Sequence, residues 1–299
     1  MISKFIPLTI ALVAVGCSNN NSDVVGAAGG TSVKINGGGV VVQIGGASGN
    51  GGGGNSGTSG TATGQSGQLT MVVRDFKFYD ANDATTDADF ENVPTTGSTA
   101  NGWDDKDIAT DTLGSDFKPV YKNAGSTTLT THGQDTFNKW YNTIDGTNIM
   151  QQIPFTLTAN PDGTFKYDSL SAGAPLSPGG GFFPIDDGSK YATSFGNQGK
   201  NHNFSFTVEI HTVFTYNGGE TFSFSGDDDV FVYINNKLVI NLGGIHVREV
   251  ASVPIDSLGL TKGTQYPLDF FSAERHVTQS NLLITTSLGL TINPDIPIR

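Results

Sequence analysis

Three consecutive aspartates, Asp227-Asp228-Asp229, are the residues of this sequence best suited to chemistry. They lie between two segments that alternate apolar and polar residues, which predicts a strand, an acidic loop and a second strand. Adjacent like charges repel each other, and a hairpin does not need them. A hard cation would turn this repulsion into binding, because Ca²⁺ takes several oxygen ligands and favours carboxylates on loops. The sequence therefore predicts a calcium site at the edge of a β-sheet with these three ligands, and a solvated hairpin tip is the alternative.

The overall composition excludes some classes of partner. The chain has 16 basic and 28 acidic residues and a formal net charge of −12. Binding to nucleic acid needs a basic surface, so we predict no nucleic-acid partner. Many of the 40 glycines precede residue 68. The remaining sequence, about 230 residues, has the length of one all-β domain.

The N-terminal sequence has the features of an export signal. Lys4 precedes an apolar stretch, Phe5 to Val15, that is too short to span a bilayer. The stretch ends in Ala14-Val15-Gly16-Cys17, which resembles a bacterial lipoprotein signal. That resemblance implies removal of residues 1–16, lipidation of Cys17, and an exported protein held at the outer membrane or cell surface. Residues 17–68 are then a linker rich in Gly, Ser and Asn, which cannot bury enough apolar surface to fold.

The sequence from residue 69 onwards predicts short strands with turns between them. Apolar residues at helical spacing predict a single helix over Thr136 to Ile144. The long alternation from Asn203 to Tyr216 predicts a strand with one buried and one exposed face. Asn235-Asn236 suits a two-residue hairpin turn, which requires positive φ angles. With no alternation of strands and helices, residues 69–299 are predicted to be all-β: an antiparallel, jelly-roll-like β-sandwich with long loops and one short helix.

Two further predictions concern side chains outside the acidic loop. Residues 80–135 are rich in Asp, Thr and Gly, and we expect Trp103 and Phe117 to anchor them. His202 and His211 do not show the spacing of metal ligands, and both are predicted to lie on the surface.

Several motifs in this region resemble, in order, those of the fibro-slime domain. They include Asp89 to Glu91, Phe182 to Asp186, Gly226 to Val232, Asn235 to Val239, Leu242 to His246, and Ala273 to His276. Fibro-slime domains are in turn similar to the protective-antigen-type β-sandwich of flocculins, fungal adhesins and some bacterial glycosidases and toxins. In the sugar-binding members, two aspartates joined by a cis peptide hold Ca²⁺, and the ion coordinates sugar hydroxyls.

Carried over by position, the resemblance implies that Asp227 and Asp228 form this calcium pair and that a carbohydrate is the partner. Asp229 stands where the adhesins usually carry a small residue. Around the adhesin-type pair we predict these ligand-binding residues: His246, Glu274, Arg275, His276 and Asn281. Two alternatives remain open. Asp229 could form a structural ion pair with Arg275, and each histidine could bind only the backbone of its own loop.

The sequence offers little for catalysis. It has no nucleophile elbow, no His-Glu zinc motif and no activated cysteine, so we predict that the protein is not an enzyme. The predicted function is that of a lipid-anchored, exported bacterial protein that binds calcium and carbohydrate for adhesion or extracellular-matrix association. A structural matrix or slime component without a ligand is one alternative. A glycan-hydrolysing enzyme with paired carboxylates is a second.

Overall fold

Contacts between Cα atoms divide the chain into two units, Met1–Thr61 and Ala62–Arg299. The structure, a computed structural model, describes residues 31–36, 39–44, 67–186 and 194–296. In the first unit, β1 (Thr31–Asn36) and β2 (Gly39–Ile44) pair antiparallel as a hairpin. Cys17 and the predicted signal lie outside the described residues. No helix in the described part of the chain is long and apolar enough to cross a bilayer.

The second unit is built around a seven-stranded antiparallel sheet, called here the large sheet. Its strands are β3 (Gln68–Phe76), β7 (Asn148–Thr156), β10 (Phe206–Thr215), β12 (Asp229–Ile234), β13 (Lys237–Leu242), β16 (Gln265–Glu274) and β18 (Thr291–Ile292). Their spatial order is β13-β12-β16-β10-β3-β7, and β18 also pairs with β10. The β12–β13 turn is Asn235-Asn236, with φ angles of 52° and 59°, which confirms the predicted hairpin turn.

A five-stranded sheet, the small sheet, packs against one face of the large sheet. Its strands are β8 (Thr158–Ala159), β9 (Phe165–Asp168), β11 (Thr221–Gly226), β15 (Glu249–Pro254) and β17 (Leu282–Thr286), and a 3-10 helix (Ile255–Leu258) follows β15. The spatial order of the strands is β15-β11-β17-β9-β8. The apolar core between the sheets includes Val208, Phe224, Val230 and Phe270. The predicted all-β antiparallel sandwich is therefore confirmed.

The other face of the large sheet is covered by residues 77–147, called here the covering layer. It contains α1 (Gln134–Trp140) and the short strands β4 (Gly102–Asp104), β5 (Ala109–Leu113) and β6 (Pro119–Tyr121). β5 pairs with β6, whereas β4 pairs with β14 (Gly244–His246). The anchors of this layer are Phe90, Ile108, Phe137 and Trp140, not the predicted Trp103 and Phe117. Phe117 is 47% exposed.

The helix is shorter than its sequence pattern predicts. It ends at Trp140, and Ile144 is exposed instead of packing on the helical face. The Asn148 side chain explains the early end, because its Nδ2 donates hydrogen bonds to the carbonyl oxygens of Lys139 and Asn142. These bonds satisfy carbonyl groups that a continued helix would have used.

The covering layer also corrects the prediction of one exposed face on β10. All its residues except Thr215 are buried, because the outer face lies under this layer. His211, predicted to lie on the surface, is buried, and its two ring nitrogens lie 2.7 Å from Asp269 Oδ1 and 2.8 Å from Glu209 Oε1. The Arg74 guanidinium donates to Glu209 Oε2 over 2.6 Å. The polar half of this strand thus forms a buried network of charges.

This network should make stability depend on pH. Burial alone would lower the pKa of His211, but its hydrogen bonds to Asp269 and Glu209 outweigh burial and raise the pKa to about 9. An unfolded histidine has a pKa of about 6.5, so the folded protein holds the proton more tightly. The resulting stabilisation, on the order of 3 kcal/mol, is complete below about pH 6.5 and is lost as the pH rises through about 9. Urea unfolding at pH 6, 7.5 and 9 should show this loss. His211→Gln should flatten the pH dependence, and equal slopes for both proteins would contradict the expectation.

Candidate functional site

The acidic triplet connects the two sheets at one end of the sandwich. β11, in the small sheet, ends at Gly226, and β12, in the large sheet, begins at Asp229. Asp227 and Asp228 form the crossing between them, and their peptide bond is cis. The two flanking strands therefore do not pair as the hairpin that their sequence suggested. A Cβ atom on Gly226 would lie 2.3 Å from the carbonyl oxygen of Asn281, so this close approach requires glycine.

The alternation of side chains along β12 and β16 separates the charged residues onto two faces. Phe231 and Ala273 pack in the covering-layer core, whereas Val230 and Phe270 pack between the sheets. Successive residues of a strand point to opposite faces. Asp229 and Arg275 accordingly lie on the face of the large sheet that the covering layer packs against. Glu274 is separated from Phe270 by an even number of positions in β16, so it belongs to the face that packs against the small sheet.

On the covering-layer side, Asp229 and Arg275 form a fully buried ion pair. Arg275 Nε donates to Asp229 Oδ2 over 2.6 Å, and both side chains have no exposed surface. The backbone N–H of Gly244 donates to Asp229 Oδ1 over 2.7 Å. Each carboxylate oxygen of Asp229 thus accepts one hydrogen bond, which matches the ion-pair alternative.

The covering layer completes the surroundings of Arg275. Its guanidinium donates to the carbonyl oxygens of Thr130 and Asp89 over 2.8 and 3.2 Å, and it lies 4.6 Å from the centre of the Trp140 ring. A buried guanidinium with these partners cannot reach a ligand. The geometry therefore favours a structural role for Arg275 over the predicted ligand-binding role.

On the other side, Asp227, Asp228 and Glu274 form a cluster of buried carboxylates, called here the carboxylate cluster. Asp227 accepts hydrogen bonds from the backbone and side-chain amides of Asn281. Asp228 accepts from the backbone N–H groups of His246 and Arg275, over 3.0 and 3.2 Å. Glu274 is only 2% exposed, and neither carboxylate oxygen has a hydrogen-bond partner among the described residues. The nearby Ser280 hydroxyl donates its hydrogen bond to the Phe182 carbonyl oxygen instead.

Burial and mutual repulsion both disfavour the charged forms of these groups. Burial raises the pKa of Glu274 well above its ordinary value, and the charges of Asp228 and Asp227 raise it further. Burial likewise raises the pKa of Asp228 well above its usual range, with a contribution from Asp229. The pKa of Asp227 is raised by burial and partly restored by its bonds to Asn281. A buried carboxylate without a donor is costly, and a bound cation would remove that cost.

The donor chemistry of the carboxylate cluster fits calcium. It offers carboxylates, and the neighbouring Asn281 adds an amide oxygen; all are hard oxygen ligands of the kind that Ca²⁺ prefers. No group of three His, Cys, Asp or Glu side chains in residues 67–186 and 194–296 is arranged as a ready metal site. The fit therefore rests on the donor types and on the unpartnered Glu274. When bound, Ca²⁺ would supply positive charge and open coordination positions for hydroxyl groups.

A small open cavity of about 210 Å³ lies beside this cluster. Its walls include Asp228, Trp103, His246, His276 and Gln279. Two of the predicted ligand-binding residues, His246 and His276, therefore line it. Trp103 is partly exposed and is brought here because β4 pairs with β14, opposite Ile245. An aromatic face with polar groups around it is a common way to bind a small polar ligand.

Both histidines in this cavity have other partners. The ring nitrogens of His246 face the carbonyl oxygens of Val247 and Leu242, at 2.9 and 3.1 Å, as the backbone-binding alternative described. His276 Nδ1 lies 3.2 Å from Glu91 Oε2. His276 is only part-buried, so one edge of its ring remains available to a ligand.

Sequence reasoning missed the contribution of the covering layer to this site. The sequence predicts Trp103 as an anchor of residues 80–135, not as part of this site. It does not predict that Asp89 and Thr130, whose carbonyl oxygens accept hydrogen bonds from Arg275, lie near the triplet. Asp89 and Glu91 did belong to a motif of the resemblance, and that motif is the signal that could have placed them here. Nothing in the local pattern around Trp103 or Thr130 predicts their positions.

Comparison with known proteins finds one family model and several relatives that are similar to parts of this chain. The fold and site are those of an all-β sandwich with an acidic loop between its sheets. Residues 185–296, a segment that contains β10 to β18, match the family model described as the PA14 domain. The chain is also similar to proteins of Dictyostelium discoideum. It is 39% identical to Protein psiD over 233 residues, which is 75% of this chain and 43% of that protein. It is 40% identical to Protein psiR over 228 residues, covering 74% of this chain and 22% of that protein.

The chain spans less than half of the length of these curated relatives. Among solved structures it is similar to the epithelial adhesin 6 A domain of Candida glabrata, in complex with Galb1-3GlcNAc. That similarity has 13% identity and a TM-score of 0.31, and it covers 79% of this chain and 84% of the adhesin chain. Such a low score supports no inference about ligands, so a function must be argued from the site.

Proposed function

We propose that this chain is an exported protein of the fibro-slime type whose β-sandwich binds Ca²⁺ and, beside the ion, a carbohydrate. Its role would be adhesion or association with an extracellular matrix. The observation that supports this function is the buried Glu274 carboxylate, which has no donor and lies in the carboxylate cluster beside an open cavity. Asp227, Asp228 and Glu274 would hold the ion, with Asn281 as a neutral ligand.

The carbohydrate would occupy the cavity next to Asp228. Sugars present hydroxyl groups for an ion and for amide side chains, and an apolar ring face for an aromatic residue. The cavity provides Asp228, Trp103 and Gln279 at its walls, which match these three requirements. Its small volume of about 210 Å³ restricts the direct contact to a short part of a glycan.

A glycan array tests this proposal. The full chain should bind a subset of glycans in the presence of Ca²⁺ and lose that binding when a chelator is added. Trp103→Ala should weaken binding about tenfold, roughly 1.4 kcal/mol, because the ligand loses its aromatic wall. Glu274→Gln should shift binding to higher calcium concentrations without touching the cavity wall.

The matched control is Phe117→Ala, which removes a 47% exposed aromatic ring that does not line this cavity. It should leave glycan binding unchanged. Binding that persists in chelator, or an equal loss for Trp103→Ala and Phe117→Ala, would contradict the proposed site.

A structural matrix component is the second candidate function. The buried Asp229–Arg275 pair supports it, because Asp229 of the acidic triplet then has a structural partner and not a ligand. Absence of any glycan signal together with full stability in chelator would select this alternative. That the protein is not an enzyme also stays a prediction, which release of reducing sugar from a polysaccharide panel would overturn.

Attachment to a membrane through Cys17 is part of the proposal, and it rests on the sequence alone. Incorporation of a labelled fatty acid that Cys17→Ala abolishes would support it, and equal labelling of the variant would contradict it.

A further inference from the structure

A second cavity lies at the far end of the large sheet from the carboxylate cluster. It has a volume of about 330 Å³ and lies between β10, the start of β16 and the β12–β13 turn. β16 begins here at Gln265 and ends at Glu274. Asp269, which lines this cavity, precedes Glu274 by five residues, so the two sites are about 17 Å apart along the strand. The calcium and carbohydrate proposal does not use this cavity.

Asp269 is the chemically distinctive group of this cavity. Its residue is 1% exposed, and its Oδ1 lies 2.7 Å from His211 Nδ1. Its second oxygen, Oδ2, has no hydrogen-bond partner among the described residues. His211, the cation that faces Asp269, is shared with Glu209. A carboxylate that lines a cavity and has one oxygen unpaired favours a ligand that brings a charged hydrogen-bond donor.

The other residues that line the cavity favour a cation that also carries an apolar group. Apolar and aromatic side chains predominate, among them Leu113, Phe117, Val213 and Tyr266. Asp295 adds a second, exposed carboxylate, and no Lys, Arg or His is among the described residues that line the cavity. Aromatic rings attract ammonium groups through their electron-rich faces, and this attraction grows when water is excluded.

We infer that this cavity is a binding site for small organic ammonium compounds, with the ammonium group on Asp269 and the apolar body against Phe117 and Tyr266. A neutral ligand of the same shape would lack the charged donor that Oδ2 requires. An anionic ligand would be repelled by Asp269 and Asp295. Amine selectivity is therefore the property that distinguishes this site from a nonspecific apolar depression.

Three compounds that share one ring system test this selectivity: tryptamine, tryptophol and indole-3-propionate carry an ammonium, a hydroxyl and a carboxylate group. Binding to the full chain at pH 7 is followed by calorimetry and by NMR shifts of labelled Leu and Val methyl groups. Tryptamine should bind about tenfold or more tightly than tryptophol, indole-3-propionate should not bind, and the shifts should centre on Leu113 and Val213. Equal affinities for tryptamine and tryptophol would overturn the inference, as would an absence of tryptamine binding.

Substitutions then locate the site. Asp269→Asn should weaken tryptamine binding about tenfold while keeping the shape of the side chain. Because Asp269 also supports His211, Phe117→Ala provides a second test outside that network and should weaken binding severalfold. Asp162→Asn, an exposed carboxylate in the turn between β8 and β9, is the matched control and should change nothing. Unchanged affinity in both Asp269→Asn and Phe117→Ala would overturn the assignment.

Discussion

Adding Ca²⁺ to calcium-free protein should raise its unfolding temperature substantially. A ligand at about one hundred times its Kd stabilises the folded state by ~2.7 kcal/mol, which for a domain of this size corresponds to roughly 5–10 °C. The physical reason is the carboxylate cluster, in which Glu274 has no donor and burial raises the pKa of each member. Calorimetry of the full chain with calcium and with a chelator measures the shift.

Glu274→Gln separates the ion from the fold. It removes a buried carboxyl group that has no partner, so the calcium-free variant should unfold at the same or a higher temperature than the calcium-free wild type. Its response to calcium should be reduced, because one ligand has become neutral. Asp111→Asn removes an exposed carboxylate from β5 and should leave the calcium response intact. A wild-type melting curve that is identical in calcium and in chelator would falsify the metal site.

Replacing Arg275 should cause the largest loss of stability of the substitutions considered. Arg275→Met leaves the Asp229 carboxylate buried without its cation and removes the stacking on Trp140. Breaking a buried pair in this way costs about 3–5 kcal/mol. Urea unfolding of the variant in calcium measures the loss. Arg275→Lys keeps the charge but cannot reproduce the contacts to both Asp229 and Thr130, so its loss should be intermediate.

The exposed pair Lys122–Asp107 provides the matched control. Its atoms are as close, at 2.7 Å, but the side chains are 45% and 72% exposed. Lys122→Met should therefore change stability by less than about 1 kcal/mol. The double variant Asp229→Asn with Arg275→Met should recover part of the loss, because no unpaired buried charge remains. Losses of similar size for Arg275→Met and Lys122→Met would show that the buried pair does not stabilise the fold.

Local sequence patterns were sufficient for the class of fold and for the place of the acidic loop. Short alternating segments predict antiparallel strands, because side chains of a strand alternate between faces whatever the rest of the chain does. Asn235 and Asn236 predict their turn because few residues tolerate positive φ. The Asp227 to Asp229 triplet is conspicuous because its charges repel within the sequence itself. These features depend on neighbours in the chain, so the sequence carries them.

Only the tertiary structure determines which carboxylate forms an ion pair and which remains without a partner. The face of the sheet to which Asp229 or Glu274 belongs follows from the alternation, but the surroundings of each face depend on distant segments. The covering layer supplies Asp89, Thr130 and Trp140 to Arg275, so Asp229 is neutralised. Glu274, one residue earlier, meets no donor. The covering layer has irregular sequence without a long alternating pattern, and its packing buries the outer face of β10, including His211. Contacts between residues far apart in the chain leave no local periodicity, and for this reason the roles of these charges could not be read from the sequence.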